Sequence, residues 1–565
     1  MFQMRWRPES DSFACDPQTL RRVLELSQVR QHISSAAGRD DRLAQQDLRG
    51  MRGPHDSGQS CGQETLQDVP GPHVSEQGQM GQKSTTKESP AQLIQSFYER
   101  GTTSLLMAKI SLCVSSQTPL VRFNLSYGDL IKKYGRLSLP INLTNLAEGD
   151  DYEFNAGGVT RMVFPLLKRM LDTGILKSPQ WVSLNSIGPE TITTSGITFH
   201  HVQLEKERVK GYGLAKESIW QALHGIQKEG NLSPLLWQDE FIDYTYYNRS
   251  CSELALQLDK ENDFDLFYIH DFQQLPMAHM MHAIKPKIFR WHIPFDESLV
   301  PDLWRHSLAS YFNSYDVVIA SCRRYLESLK RFGYKGKSSH IYPYIDQDTY
   351  KKPSQSEVGE FSHKFGIGED DRVVLMVARL DPMKGQDRAI RGFAKIKKNF
   401  TDVKLVVAGN GSFSSSKRGI GLSKAERWLG KLRELVKALG VEDSVIFTGH
   451  LTHKELQAAY ERCELTVLPS VLEGFGLVVV ESWLYKKPAV VSLTAGVAEL
   501  VKHEENGLLF NPDDSDDLAN KFSTLLTNQN LASALGENGF ITSRRCFLER
   551  GMKAEAKVMQ DLVGY

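Results

Sequence analysis

The chain has no net charge, no long apolar run and no closely paired cysteines. Lys plus Arg and Asp plus Glu number 68 each, so the overall balance does not indicate binding to nucleic acid or to an anionic membrane. No uncharged apolar run reaches the ~20 residues of a membrane span, and the N-terminus lacks the apolar stretch of a signal peptide. The seven cysteines form no Cys-x-x-Cys pair, which argues against a disulfide framework or a zinc site. We therefore expect a cytoplasmic protein.

Residues 1–105 are poor in aromatic side chains. Between Phe13 and Phe97 there is none, while Gln, Gly, Ser and Asp accumulate. A segment of this composition buries too little apolar surface to offset the entropy lost on ordering it. We predict a disordered low-complexity extension, with a regulatory tail as the alternative.

From residue 106 onward, short apolar runs alternate with helical stretches. KISLCVS, FDLFYIH and KIFRWHI indicate buried strands, and the pattern pauses near residue 345 before it resumes with RVVLMVARL. This alternation is typical of α/β proteins with parallel sheets flanked by helices. We predict two Rossmann-like, doubly wound domains, residues 106–345 and 346–535, facing a cleft, since ligands bind at the carboxyl ends of such strands.

Two glutamates, Glu473 and Glu481, bracket a Gly-Phe-Gly turn where an apolar strand gives way to a helix. The start of a helix attracts phosphate through its unpaired N–H groups and its dipole. Carboxylates beside an anion site need another partner, and sugar hydroxyls are suitable. The segment therefore predicts a site for a phosphorylated sugar, although Glu481 could instead be an ordinary helix N-terminal glutamate.

Two cations follow the strand RVVLMVA in the same predicted domain. Arg379 and Lys384 would lie at the carboxyl end of that strand, where a pair of cations can neutralise a diphosphate. An isolated pair of this kind is more often a solvated Arg and Lys in a loop. Its occurrence together with the two glutamates favours the diphosphate site.

The first predicted domain contains a complementary set of residues. Gly157 and Gly158 precede an amphipathic helix, where glycine permits close approach of phosphate to the backbone, although any tight turn could use them. His270 and Asp271 end one strand, and His292 ends the next. A lone histidine is usually structural, but two at the ends of successive strands indicate the edge that faces the cleft.

The Arg379…Lys384 segment followed by E-G-F-G-x-x-x-x-E resembles the donor half of retaining, nucleotide-sugar-dependent glycosyltransferases of family four. These enzymes have the GT-B fold, and the resemblance extends from about residue 107 to the C-terminus. It implies that Glu473 contacts the transferred sugar and Glu481 the ribose. Backbone N–H groups that would bind sugar and phosphate belong to Gly474, Phe475, Gly476 and Leu477.

The resemblance also implies roles for the cations and for the first domain. Arg379 and Lys384 would hold and stabilise the departing diphosphate, so that no metal or other cofactor is expected. The loop of Gly157 and Gly158 would flank the diphosphate across the cleft. His292 would lie near the primary hydroxyl of the reacting sugar and assist by hydrogen bonding.

Acceptor candidates follow from the spacing His270-Asp271…Arg290-Trp-His292. This spacing partly resembles that of trehalose-forming glycosyltransferases, which favours a small sugar or sugar derivative as acceptor. Arg290 and Asp296 flank His292 and are further candidates for binding the acceptor.

The predicted reaction is transfer of a hexosyl group from a UDP-, ADP- or GDP-hexose to a hydroxyl acceptor with retention of configuration. The alternatives are a GT-B protein that binds a sugar nucleotide without catalysis, and a sugar phosphorylase or epimerase on the same fold. By resemblance, the helix of residues 536–565 should pack back on the first domain. The sequence leaves open the donor base, the acceptor, the oligomeric state and the roles of two insertions, 119–155 and 409–428.

Overall fold

A computed structural model of the protein describes residues 109–155, 157–226, 239–411 and 420–564. The predicted disordered extension lies outside the described residues, as does the middle of the second insertion, residues 412–419. Within the described part of the chain, no helix is both long enough and apolar enough to cross a bilayer.

The strands are β1 (Ile110–Ser115), β2 (Val121–Phe123), β3 (Ile141–Asn142), β4 (Tyr152–Phe154), β5 (Leu176–Leu184), β6 (Thr191–Thr194), β7 (Ile197–Val202), β8 (Leu266–His270), β9 (Lys287–Trp291), β10 (Val317–Ala320), β11 (Lys337–His340), β12 (Arg372–Val377), β13 (Val403–Ala408), β14 (Val445–Gly449), β15 (Leu465–Leu468), β16 (Ala489–Ser492) and β17 (Leu508–Phe510).

The helices are α1 (Tyr127–Tyr134), α2 (Gly158–Asp172), α3 (Lys206–Leu223), α4 (Asp239–Asn262), α5 (Met277–Met280), α6 (Asp302–Phe312), α7 (Arg323–Phe332), α8 (Gln355–Lys364), α9 (Gln386–Ile396), α10 (Ile420–Ala438), α11 (His453–Arg462), α12 (Leu477–Leu484), α13 (Ser515–Thr527), α14 (Gln529–Ser543) and α15 (Leu548–Val563).

The N-terminal sheet has nine strands in the order β11-β10-β9-β8-β1-β5-β7-β6-β3. All neighbouring pairs are parallel except β6 and β7. Every residue of β8 and β9 is buried because helices cover both faces, which is why these strands read as continuous apolar runs. The predicted buried strands are confirmed. Shorter or more polar strands, such as β6 and β11, were not predicted.

The C-terminal sheet is entirely parallel, in the order β14-β13-β12-β15-β16-β17. From β12 the chain winds outward through β13 and β14, and it then crosses back to β15 and winds the other way. The boundary between β12 and β15 is thus the point where strand order reverses, and ligands bind at such a point beyond the carboxyl ends of the strands. The predicted pair of doubly wound sheets is confirmed.

The last helix of the chain belongs to the core of the N-terminal sheet. Helix α15 packs against α2, and its buried residues Leu548, Met552, Ala556 and Met559 join the cluster formed with β1 and β5. The chain therefore passes through both sheets and returns to the first one.

The first insertion, residues 119–155, forms β2, α1, β3 and β4, and β3 lies at the edge of the N-terminal sheet. Its polar centre is the buried carboxylate of Asp151. This group accepts hydrogen bonds from Lys133 Nζ (2.6 Å), Tyr134 Oη (2.5 Å) and the Ala147 N–H (2.8 Å). These contacts hold the insertion together as a structured element.

Candidate active site

The predicted donor residues meet at the reversal point of the C-terminal sheet. Lys384 closes a short 3₁₀ turn after β12, in which Asp381 accepts a hydrogen bond from the Met383 N–H (2.9 Å). Gly385 follows with φ of 72°, and a side chain there would collide with the carbonyl oxygen of Pro469. The segments that follow β12 and β15 are therefore in close contact, which fixes the position of Lys384.

Lys384 and Glu473 form an ion pair in the cleft. Lys384 Nζ donates to Glu473 Oε2 at 2.6 Å, and Ser470 Oγ donates to the same oxygen at 3.1 Å. Burial opposes ionisation of Glu473, yet Lys384, with help from Ser470 and Arg379, lowers the pKa of this carboxyl below its ordinary value. Glu473 is therefore ionised at neutral pH, and Oε1 remains for another donor group. Arg379 lies exposed beside the pair.

The backbone around Glu473 contacts the N-terminal half of the protein. The Glu473 carbonyl accepts hydrogen bonds from Tyr325 Oη (2.9 Å) and from the Gly496 N–H (3.1 Å). A Cβ at Gly474 would collide with the His292 carbonyl oxygen. The structure thus brings the donor motif and His292 together across the cleft, which sequence spacing did not specify.

Helix α12 begins at this point. Gly476, its N-cap, has φ of 105°, a conformation that other residues rarely adopt. In the described part of the chain, the N–H groups of Leu477 and Val478 donate no hydrogen bond, as expected at the start of a helix. Phe475 is buried against Tyr342, with ring centroids 5.7 Å apart. An anion placed before α12 would meet free N–H groups and the positive end of the helix dipole.

Glu481 lies one turn further along α12 and is nearly buried. Its Oε1 accepts a hydrogen bond from Tyr350 Oη (2.8 Å), and its Oε2 accepts one from Tyr460 Oη (2.7 Å). The carboxylate is therefore held in one orientation by two tyrosines. Neither tyrosine belonged to a motif, so the sequence could not identify them as its partners.

Gly157 and Gly158 start helix α2 on the other side of the cleft. Gly157 is the N-cap, with an ordinary φ of −64°. A Cβ at Gly158 would meet no atom within 4 Å. Neither the backbone conformation nor protein packing requires glycine at position 158. Close approach of a ligand to the backbone would explain why glycine occurs there.

His270 and His292 are adjacent at the ends of β8 and β9. His270 Nδ1 lies 3.1 Å from His292 Nε2, and the rings stack with centroids 5.4 Å apart. Burial lowers the pKa of both imidazoles well below 6.5, so both are neutral at physiological pH. His292 is half-buried, whereas His270 has no exposed surface. His270 therefore does not contact an acceptor, contrary to our prediction, because it is enclosed beneath His292.

Asp271 directly follows His270 and has a φ of 68°, which is unusual for a residue other than glycine. Its side chain is buried, and Oδ1 has no hydrogen-bond partner in the described residues. Burial raises the pKa of this carboxyl to about 6. A strained, buried and incompletely paired carboxyl is a common feature of a binding site.

Arg290 does not face the cleft, which corrects the prediction that it binds the acceptor. Its side chain has no exposed surface and forms an ion pair with Glu555 of helix α15. Arg290 lies on the same face of β9 as Ile288, which packs in one cluster with the buried residues of α15, so that α15 covers this face. Asp296 lies half-buried after His292 and accepts hydrogen bonds from the N–H (2.9 Å) and Oγ (2.6 Å) of Ser298, so its resolved contacts are local.

His224 lies within electrostatic range of the donor site, although no motif indicated it. It caps helix α3, where Nδ1 lies 2.8 Å from the carbonyl oxygen of Trp220, and its ring stacks on Trp220 at 4.1 Å. Burial lowers its pKa to about 4, and the charges of Lys384 and Glu473 act on it. The same helix reaches the C-terminal half through Glu217, whose Oε1 lies 2.6 Å from Lys424 Nζ. His224 is thus a buried, neutral histidine that feels the charges of the ion pair.

A segment in each half of the chain matches a known protein family. Residues 358–541 match the family described as "Glycosyl transferases group 1", and residues 197–327 match "Trehalose synthase, N-terminal domain". The first segment contains every predicted donor residue of the C-terminal half, and the second contains the two histidines. The predicted resemblance to group 1 glycosyltransferases and to trehalose-forming enzymes is confirmed.

Individual relatives agree with these matches. The chain is 32% identical over 166 residues to an uncharacterized glycosyltransferase of Methanocaldococcus jannaschii (29% of this chain, 38% of that protein). It is 26% identical over 346 residues to a mannosylfructose-phosphate synthase of Agrobacterium fabrum (55% of this chain, 73% of that protein).

A solved structure of a UDP-forming α,α-trehalose-phosphate synthase from Burkholderia xenovorans superposes with a TM-score of 0.61. It is 16% identical and covers 80% of this chain and 99% of its own, which shows a shared GT-B fold. The chain thus has the GT-B fold, and its two halves match models of group 1 glycosyl transferases and of the trehalose synthase N-terminal domain.

Proposed function

We propose that this protein transfers a hexosyl group from a nucleoside diphosphate sugar to a hydroxyl of a small sugar or sugar phosphate, with retention of configuration. The observation that carries the proposal is the Lys384–Glu473 pair at the reversal point of the C-terminal sheet. It joins a cation suited to phosphate and a carboxylate suited to sugar hydroxyls within one hydrogen bond. A donor that contains both groups fits this combination.

The proposed donor lies with its diphosphate between Lys384, Arg379 and the start of α12. Negative charge grows on the departing diphosphate as the bond to the sugar breaks, and fixed positive groups stabilise that charge. Arg379, Lys384 and the free N–H groups of α12 supply this positive charge, so we propose that the reaction needs no metal ion. Gly158 would let the N-terminal half approach the same phosphates closely.

Glu473 is proposed to bind the transferred sugar rather than attack it. Its Oε2 is already engaged by Lys384 and Ser470, so the carboxylate is held in place and its nucleophilicity is reduced. We infer that the acceptor attacks on the face from which the diphosphate departs, which gives retention without a covalent intermediate. His292 would donate a hydrogen bond to the reacting sugar, and Glu481 would bind the ribose.

The acceptor is proposed to lie on the N-terminal side, near Asp271. This carboxyl has an unpartnered oxygen and follows the histidine pair at the edge of the sheet. Two of the similar proteins are a mannosylfructose-phosphate synthase and a trehalose-phosphate synthase, which supports small sugars and their phosphates as acceptors.

A screen of donors against acceptors tests the proposal. UDP-, ADP- and GDP-hexoses are combined with glucose, fructose and their 6-phosphates, and release of the nucleoside diphosphate is followed with and without EDTA. We expect release only when an acceptor is present, unaffected by EDTA, and a product with the anomeric configuration of the donor. If none of the tested donors released its nucleoside diphosphate, the transferase assignment would be refuted. Consumption of free phosphate would favour a phosphorylase, and conversion of the donor without an acceptor would favour an epimerase.

Glu473→Ala separates catalysis from sugar-nucleotide binding alone. We expect this variant to lose turnover while it remains folded. Lys395→Ala is the matched control, because Lys395 lies in the same half and forms an exposed ion pair with Asp516. Full turnover in Glu473→Ala would show that the site is assigned wrongly.

A further inference from the structure

The two neutral histidines at the end of the N-terminal sheet share a single proton position. His270 Nδ1 and His292 Nε2 are 3.1 Å apart, a hydrogen-bond distance. If both nitrogens carried lone pairs or both carried protons, they would repel each other. One ring must therefore donate to the other, and the direction of this bond decides the tautomer of His292.

The surroundings of His270 decide the direction. Its other ring nitrogen, Nε2, is buried and has no hydrogen-bond partner in the described residues. Arg290 pairs with His270 in register on the neighbouring strand, and the Arg290 Nε–H also has no partner. The positive charge of Arg290 acts on the His270 ring, so a lone pair on the buried Nε2 is favoured there over an N–H, which would be a second unpartnered donor near this cation. The proton of His270 is therefore on Nδ1.

We propose that His270 is a positioning residue that donates its Nδ1–H to Nε2 of His292 and thereby holds His292 in the Nδ1–H tautomer. The inference rests on the proposed function for its catalytic consequence. Because Nε2 is occupied, Nδ1 is the ring nitrogen of His292 that a substrate can contact. It offers a hydrogen-bond donor, so His292 stabilises negative charge or a hydroxyl oxygen and does not act as a base through Nε2.

The groups around the pair are consistent with a fixed tautomer. Tyr268 packs against His270 with ring centroids 4.2 Å apart and the rings tilted by 51°, and its hydroxyl donates to Glu555 instead of to either histidine. Arg290 is the cation beside the pair, and Glu555 neutralises it from the opposite side. Asp271 is the remaining carboxyl nearby, and it accepts from the backbone N–H groups of Phe272 and His292. None of these groups competes with His270 for His292 Nε2.

Nitrogen NMR of the full-length protein labelled with ¹⁵N-histidine tests the bond directly. We expect His292, assigned by the signals that disappear in His292→Gln, to show a protonated Nδ1 and an unprotonated Nε2. A protonated Nε2 on His292 would overturn the proposal whatever any variant does. This measurement needs no substrate, so it stands even if no nucleotide sugar is turned over.

Variants test the consequence. His270→Phe keeps the ring stack and removes the donor, and we expect His292 to populate both tautomers and kcat to fall by about tenfold, the worth of one hydrogen bond. His270→Asn places an amide N–H near the position of Nδ1 and should restore the tautomer and most of kcat. The control, His200→Phe, removes a histidine that bonds Gln180 in the same sheet and should leave His292 unchanged.

The outcomes are distinguishable. An unchanged His292 tautomer and unchanged kcat in His270→Phe would overturn the positioning role. Inactivity of the wild-type protein with every donor would refute the proposed function alone, since the tautomer is read in the free protein. If His270→Phe does not fold, the wild-type spectrum and His270→Asn still decide the question.

Discussion

Arg290 and Glu555 are separated by 265 residues in the chain and form an ion pair in which neither side chain has exposed surface. Glu555 also accepts hydrogen bonds from Tyr268 Oη (2.6 Å) and Tyr344 Oη (3.0 Å). The last helix is thereby joined to the strand that leads to His292. The pair connects the end of the chain to the candidate active site.

We expect Glu555→Ala to lower the free energy of unfolding by about 3–5 kcal/mol, because it leaves the Arg290 guanidinium buried without a partner. Urea denaturation of the two proteins measures the difference. Asp561→Asn is the control on the same helix, since its pair with Lys557 is exposed and should contribute no more than ~0.5 kcal/mol. Equal effects of the two substitutions would contradict the importance of the buried pair.

Lys384→Gln should lower kcat by about 10²–10³-fold, since it removes a charge that stabilises the departing diphosphate. It should also change the pH dependence. Lys384 lowers the pKa of Glu473 in the wild-type protein, so without it that pKa rises and the residual activity is lost at a higher pH as the solution is acidified. Lys395→Gln, with its exposed side chain, should change neither quantity. An unshifted acid limb in Lys384→Gln would argue against the coupling.

Gly474→Ala should push the donor motif away from His292. The added Cβ would collide with the backbone carbonyl of His292, which cannot rotate away as a side chain would. We expect a loss of about 1–3 kcal/mol in stability, as in other overpacked positions, together with a lower kcat. Thermal unfolding and the nucleotide-release assay measure the two effects, and wild-type values for both would show that the approach to His292 is not tight.

Gly158→Ala should behave in the opposite way. A Cβ there meets no protein atom, so stability should change by less than ~1 kcal/mol. If the proposed phosphate approaches this backbone closely, KM for the donor should rise while KM for the acceptor stays constant. An unaltered KM for the donor would remove Gly158 from the proposed site.

The protein should lose stability between pH 6.5 and about 4 through its buried neutral histidines. His201 is nearly enclosed, and burial lowers its pKa to about 4, while the unfolded chain titrates near 6.5. The unfolded state therefore binds the proton first as pH falls, and the stability from this group present at pH 7 declines by about 2 kcal/mol at pH 5.

His201→Asn tests this contribution. The asparagine amide can still donate to the Pro189 carbonyl, which lies 2.7 Å from Nδ1 in the wild-type protein, but it does not titrate. Urea unfolding at pH 7 and pH 5 should show a smaller pH effect in the variant. Parallel losses in both proteins would mean that His201 titrates alike in the folded and unfolded states and contributes nothing to the pH dependence.

Much of the architecture could be predicted because buried parallel strands leave a direct trace in sequence. β8 and β9 are apolar on both faces, and so are β12 and β13, which is why their positions and the doubly wound pattern follow from the runs themselves. Strand β6, with the sequence TITT, lacks that trace because it lies near the edge of the sheet and is only partly buried.

The candidate site could be predicted where its residues are close in sequence or at strand ends. Glu473 and the start of α12 are one local motif, and Arg379 and Lys384 follow one strand. His224 could not be found in this way, because it ends a helix that reaches the donor site only through tertiary packing. Arg290 was misassigned for the same reason: its proximity to His292 in sequence gives no sign that helix α15, from the end of the chain, covers its side chain.

The sequence by itself therefore determined the class of fold and the donor motif, because both depend on short-range patterns of burial and on residues within one turn. Tertiary structure alone decided which of the two histidines is partly exposed and where the last helix packs. It also decided that Arg290 is buried and cannot bind a ligand in the cleft. These depend on contacts between residues hundreds of positions apart, such as Arg290 with Glu555, and the periodicity of a local segment contains no information about them.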